Sequence, residues 1–178
     1  AVRLRQRFGD RLHLGTSSWH FPGWAGLVWD RAHDEPTLSR HGLAAYAAHP
    51  LLRCVSLDRA FYRPLDAGTY ATLAAQVPMD FRFVVKAFSG VTDAVQREPA
   101  NGRALRPNPR FLDVDAALAT CVLPAVQGLR DRLGVLVFQV SPLPPDLLAE
   151  PDALQARLEA LWRVARPALP DGAQLALE

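Results

Sequence analysis

From residue 12 onward, short apolar runs of strand length alternate with segments whose apolar residues recur at helical spacing. No other feature of the chain constrains its fold as strongly. The runs at 12–16, 54–57, 82–86, 135–140 and 174–178 read as strands. The third of these, Arg82-Phe83-Val84-Val85-Lys86, is β-branched and aromatic, as a pleated, half-buried surface requires. Between the strands, residues 38–48 carry Leu43, Ala44, Ala47 and Ala48 on one helical side, with Thr37 or Ser39 as the expected N-cap. Residues 67–75 read as a helix that stops before Pro78, and 151–165 as another. Residues 113–133 read as the longest helix, in which Pro124 starts a new turn or a kink. Strands separated by helices are joined by crossover connections, so the strands run parallel and the helices pack outside the sheet.

Length and composition bound the rest. A chain of 178 residues, 49% hydrophobic and 21% charged, fits one domain able to bury a sizeable core. Residues 1–11, with Arg3, Arg5, Arg7 and Arg11 and little apolar patterning, read as a solvated or frayed basic lead-in to a domain over 12–178. Residues 88–110, holding Gly90, Pro99, Gly102, Pro107 and Pro109, read as one long loop. A formal net charge of +2 creates no field that demands nucleic acid or an anionic membrane. No apolar window reaches eighteen residues and no leader pattern opens the chain, so the expectation is a cytoplasmic protein without a membrane partner. Cys54 and Cys121 sit in apolar runs and read as buried thiols in a reducing compartment. Glu178 closes the fifth strand with nothing to cover that edge, so the domain is expected either to be an open five-stranded sheet or to continue beyond this residue.

In α/β barrels and open α/β sheets alike, chemistry collects at the C-terminal ends of the strands. The residues found there are Thr16, Ser17, Ser18 and Trp19, then Asp58 with Phe61 and Tyr62, then Lys86, Gln139 and Glu178. Lys86 stands out because it is the only lysine in the chain. An amine kept where arginine serves everywhere else points to a depressed pKa, a compact cation beside a carboxylate, or a nucleophile. The plainer reading is a lysine that snorkels to the rim or pairs with Asp58. Asp58 and Glu178 could form an acid/base pair or bind a metal, or could simply balance Lys86. Trp19, Trp24, Phe21, Phe61 and Tyr62 could stack on a ring-shaped ligand, or pack as core. Ser17, His20 and Gln139 complete the candidate substrate contacts, and Gln139 needs a partner in its apolar strand in either case. Arg97, Arg103, Arg106 and Arg110 could receive an anion or only solvate their loop. The five histidines show no metal-ligand spacing, and there is no phosphate loop, G-x-G-x-x-G or G-x-S-x-G, so metal ligands are expected to be none and cofactors stay unknown.

Several of these runs resemble the YecE-like family, domain of unknown function 72. The resemblance rests on Gly15-Thr16-Ser17-Ser18-Trp19, Pro22-Gly23-Trp24, Phe61-Tyr62, Phe81-Arg82-Phe83-Val84-Val85-Lys86-Ala87 and Leu133-Gly134-Val135-Leu136-Val137-Phe138-Gln139. It implies a parallel (β/α)8 TIM-barrel type fold, of which this chain holds the first five strands. It also implies that Glu178 begins the family's Glu-x-Arg strand motif. Two positions depart from the family pattern: Ser56 and Asp58 stand where Glu and Asn are usual, and Thr92-Asp93 where Thr-His is usual.

The functional expectation is an enzyme acting on a small polar substrate, sugar-like or phosphorylated, at the C-terminal rim by hydrolysis or isomerisation. Lys86 would be base or electrostatic anchor, Asp58 and Glu178 the carboxylates, and Trp19 and Tyr62 substrate walls. A Schiff base on Lys86 is a narrower version. The alternative is a non-catalytic barrel that binds a ligand or nucleic acid, with the arginine-rich loop as guide. If Ser56 and Asp93 replace reacting groups, the chemistry is altered or lost.

Overall fold

The computed structural model describes residues 2–9, 12–98 and 104–178. The chain opens with helix α1 (Val2–Phe8). The expected frayed lead-in is therefore helical over most of its length, and only Arg11 of its four arginines lies outside the described residues. Leu4 and Phe8, one helical turn apart, explain it: together with Leu12, Leu14, Pro50 and Leu51 they line a small apolar cleft of about 80 Å³.

Strand β1 (Leu14–Thr16) leads to a 3₁₀ turn at Pro22–Trp24 and then to α2 (Glu35–His41) and α3 (Leu43–Ala48). The expected single helix over 38–48 is thus two, divided at Gly42, and it starts earlier. Its cap is neither Thr37 nor Ser39 but Asp34, whose carboxylate accepts the Thr37 backbone N–H at 2.8 Å. Strand β2 (Leu52–Leu57), α4 (Arg59–Tyr62), α5 (Ala67–Ala74) and β3 (Arg82–Lys86) follow, the last with the expected bounds.

The expected long loop is largely built structure: α6 (Ser89–Thr92) and an antiparallel hairpin of β4 (Val95–Arg97) and β5 (Ala104–Pro107). Arg103 of that loop lies outside the described residues. The expected helix over 113–133 is broken into α7 (Val114–Ala117), a π-helical turn over Leu118–Val122 and α8 (Leu123–Leu129). Pro124 supplies the cause, since it brings no N–H to the ladder and sits at the start of α8. Strand β6 (Leu133–Phe138) begins and ends two residues earlier than expected, which leaves Gln139 and Val140 beyond it. A turn, α9 (Pro145–Leu148), precedes α10 (Pro151–Ala168), which is the longest helix, and β7 (Gln174–Leu177) comes last. Among the described residues, no helix is long and apolar enough to cross a membrane.

Five strands form one sheet in the order β1-β2-β3-β6-β7, and every pairing is parallel. Sequential order with right-handed crossovers sends all the connecting helices to one side of the sheet. Val55 and Leu57 of β2, Phe83 and Val85 of β3, and Leu136 and Phe138 of β6 are buried in the core. The alternate residues Cys54, Ser56, Val84 and Lys86 are only half-buried on the opposite face. Two glycines permit close approach. A Cβ on Gly15 would lie 2.0 Å from the Cys54 carbonyl oxygen, and one on Gly128 would lie 2.4 Å from both Ala67 O and Tyr70 Cβ. The first lets β1 pair with β2, and the second lets α8 press on α5.

Candidate functional site

Strand register decides which side chains meet. Leu57 pairs with Val85, Lys86 with Val137, and Phe138 with Leu177. Continuing each pairing by one or two residues sets Asp58, Lys86, Gln139 and Glu178 side by side on the face opposite the helices. Backbone bonds carry the last pairing past the strands: Glu178 N donates to Phe138 O at 3.0 Å and Val140 N to Glu178 O at 2.8 Å.

Three of the four side chains make direct contact. Lys86 Nζ donates to Gln139 Oε1 at 2.7 Å and lies 3.6 Å from Glu178 Oε2. The lysine side chain is 24% exposed and the glutamate 55%, so water reaches both. A pair this open contributes at most about 1 kcal/mol to folding. Asp58 is turned elsewhere: its Oδ1 accepts a short hydrogen bond from Ser56 Oγ. Ser56 and Asp58 thus bond to each other, and Lys86 pairs with Glu178 rather than with Asp58.

The proposed substrate walls fare differently. Trp19 is 3% exposed and its Nε1–H donates to Leu38 O at 3.2 Å, so it belongs to the core and cannot line a pocket. Its ring is covered by Arg59, whose guanidinium carbon lies 4.9 Å from the ring centroid. Trp24 packs against Trp29 and Tyr46 with centroids 6.4 and 6.1 Å away, also as core. Phe21 and Tyr62 are exposed, and Tyr62 stands edge-on to Phe61 at 5.3 Å. His20 Nδ1 lies 3.1 Å from Glu35 Oε1 and ties the first loop to α2. Ser17 is exposed just beyond β1. Thr16 makes the contacts at that strand end, with Oγ1 donating to Ser18 O at 2.6 Å and lying 2.8 Å from Tyr46 Oη. Tyr46 Oη also accepts from Thr16 N at 3.1 Å and donates to Cys54 O at 3.0 Å, a network hidden in the sequence because Tyr46 sits within an apolar helical run. Burial pushes the Tyr46 hydroxyl and the Cys54 thiol up from their ordinary values. Cys54 is half-buried rather than fully buried, and both cysteines are free.

Beyond β3, Asp93 accepts a short hydrogen bond from Ser141 Oγ, which joins this segment to the loop after β6. Thr92 before it is fully buried, with no hydrogen bond to its hydroxyl oxygen. Asn108 Nδ2 donates to Gly90 O at 2.9 Å and Asp93 O at 2.8 Å, clamping the base of the hairpin. Two cavities flank the hairpin. One of about 460 Å³ has Ser89, Asp93, Gln96 and Arg110 in its wall, and one of about 650 Å³ has Phe111, Leu112, Leu147 and Arg157. Both fall within the range of small-molecule pockets. Neither is lined by Lys86, Asp58 or Glu178. The lysine cluster stands open to water on the rim. Arg106 Nε is held by Gln96 Oε1 at 2.6 Å, so of the loop arginines whose side chains are described, only Arg110 lines a cavity. Among the described residues, no three His, Cys, Asp or Glu side chains come together to hold a metal.

A parallel sheet of sequential strand order with helices packed against it defines an α/β protein. The family model "Protein of unknown function DUF72" matches residues 13–178, and the chain belongs to that family. Its fold is similar to the crystal structure of a DUF72 family protein from Enterococcus faecalis V583, with a TM-score of 0.54 and 17% identity over 93% of this chain and 49% of that one. A DUF72 family protein from Thermotoga maritima MSB8 is 18% identical over 93% of this chain and 54% of its own, with a TM-score of 0.49. The chain therefore spans about half the length of these solved relatives. No curated protein matches it.

Proposed function

We propose that the chain is part of a (β/α)8 barrel whose C-terminal rim binds and transforms a small polar molecule, with Lys86 as its central group. The barrel reading draws on the all-parallel pairing and sequential strand order. The functional reading is carried by one observation: three strands bring their C-terminal residues to one point, where Lys86 Nζ meets Gln139 Oε1 at 2.7 Å and Glu178 Oε2 at 3.6 Å. Of the three needs that favour lysine over arginine, this geometry matches the compact cation beside a carboxylate. In that role Lys86 anchors and polarises the substrate, Glu178 exchanges a proton with it, and Gln139 fixes the ammonium. Hydrolysis or isomerisation of a sugar-like or phosphorylated compound suits such a set.

The test is a turnover screen of sugars and sugar phosphates with wild type, Lys86→Met and Glu178→Gln, alongside borohydride trapping with carbonyl compounds. The reading expects turnover that both substitutions abolish, and mass addition at Lys86 if an imine forms. Turnover that survives Lys86→Met would overturn it. A non-catalytic binding rim is the second reading, favoured by the Ser56–Asp58 bond, which occupies one of the two expected carboxylates. Its mark is saturable binding with no turnover of any compound.

A further inference from the structure

Arg59 follows Asp58 at the rim and stacks on the ring of Trp19 at 4.9 Å. The platform is fixed, since Trp19 is buried and anchored through its Nε1–H to Leu38 O. Stacking engages the face of a guanidinium and leaves its in-plane N–H donors free. Among the described residues, Arg59 donates no hydrogen bond and makes no ion pair. The nearest acid in sequence, Asp58, is engaged by Ser56. Arg59 is exposed as a residue although its guanidinium is partly covered by the Trp19 ring. Partial burial holds its pKa below the ordinary arginine value, and the charge of Arg63 acts in the same direction, while Tyr70 opposes it. A partly desolvated cation that also feels the charge of Arg63 is unfavourable on its own and is relieved by a doubly charged anion.

We infer that Arg59 is the receptor for a phosphoryl group on the molecule bound at the rim. This rests on the reading of the rim as the substrate site, and it narrows the substrate class to phosphorylated compounds. A phosphate matches the planar donor fork through two oxygens, and its second charge answers Arg63.

The experiment titrates inorganic phosphate, with acetate at matched ionic strength, into the ¹⁵N-labelled chain and follows the side-chain Nε–H signals of arginine. The Arg59 signal is assigned by its disappearance in Arg59→Lys. Phosphate should move that signal saturably, with acetate weaker by roughly tenfold or more. Arg59→Met should weaken phosphate binding by roughly tenfold or more, and Lys86→Met should leave the response of the Arg59 signal in place. No saturable shift, acetate binding as tight as phosphate, or loss of phosphate binding in Lys86→Met but not in Arg59→Met would each overturn the inference. Should Arg59→Met fail to fold, the wild-type titration decides alone. Failure of the wider reading looks different: phosphate still binds at Arg59, while no phosphorylated compound is turned over or moves the Lys86 Nζ signal.

Discussion

The two ends of the sheet carry ionic contacts of opposite character. At the N-terminal end, Arg53 is 6% exposed, donates to Gly9 O at 2.6 Å and pairs with Asp80 at 2.8 Å. His13 Nε2 lies 3.1 Å from Asp80 O in the same region. At the C-terminal end, Lys86 is 24% exposed, its carboxylate partner is 3.6 Å away, and Arg59 has no counter-ion among the described residues. One end closes α1 and the β3 entry onto β2 through an arginine cut off from solvent, while its partner Asp80 stays 40% exposed. The other keeps its charges within reach of water and of anything dissolved in it. Under the function proposed above, the first end is scaffold and the second is the working end.

Breaking the N-terminal end should have the largest effect. Arg53→Met removes the ion pair to Asp80 and the bond to Gly9 O, and should cost about 2–3 kcal/mol, seen as a lower urea midpoint. Tyr46→Phe removes a hydroxyl that serves Thr16 and Cys54 together, and should cost about 1–2 kcal/mol by the same measurement. Alkaline pH probes the core between the two ends. Burial raises the Tyr70 pKa above its ordinary value of 10.0, so above that pH the unfolded chain releases a proton that the folded chain retains. Stability should therefore be intact below pH 10.0 and fall as pH rises through and beyond it. The slope attributable to Tyr70 approaches about 1.4 kcal/mol per pH unit, and Tyr70→Phe should flatten the decline in urea melts at pH 9 to 11 by about that much. Lys86→Met should change stability least, by about 1 kcal/mol or less, since its ion pair is open to solvent.

Much of this arrangement was legible in the sequence. The parallel sheet followed from alternating periodicity, and β3 was readable to the residue because Phe83, Val84 and Val85 carry strong strand propensity between two turns. The meeting of Lys86, Gln139 and Glu178 followed from placing each at a strand end. What stayed hidden depends on contacts across the chain. Four arginines in residues 1–11 masked the Leu4–Phe8 pair that seats α1 in its cleft. Pro124 announced a break, but not that a π-helical turn would absorb it. Trp19 looked like a ligand wall because an aromatic residue beside a strand end carries no mark of burial, and only the fold shows Arg59 lying over it. Arg59 carries no mark in the sequence, because a lone arginine in a charged turn is indistinguishable from a solvated one.

The most direct test of a working C-terminal end uses the single lysine as a reporter. With ¹⁵N-labelled lysine, the Nζ signal belongs to Lys86 alone, and a library of polar and phosphorylated small molecules can be screened against it. The account predicts that a subset of compounds moves this signal, leaves the His13 ring signals unmoved, and binds at least roughly tenfold more weakly in a folded Lys86→Met variant. A library in which no compound moves the signal, or in which those that do bind Lys86→Met undiminished, would contradict it.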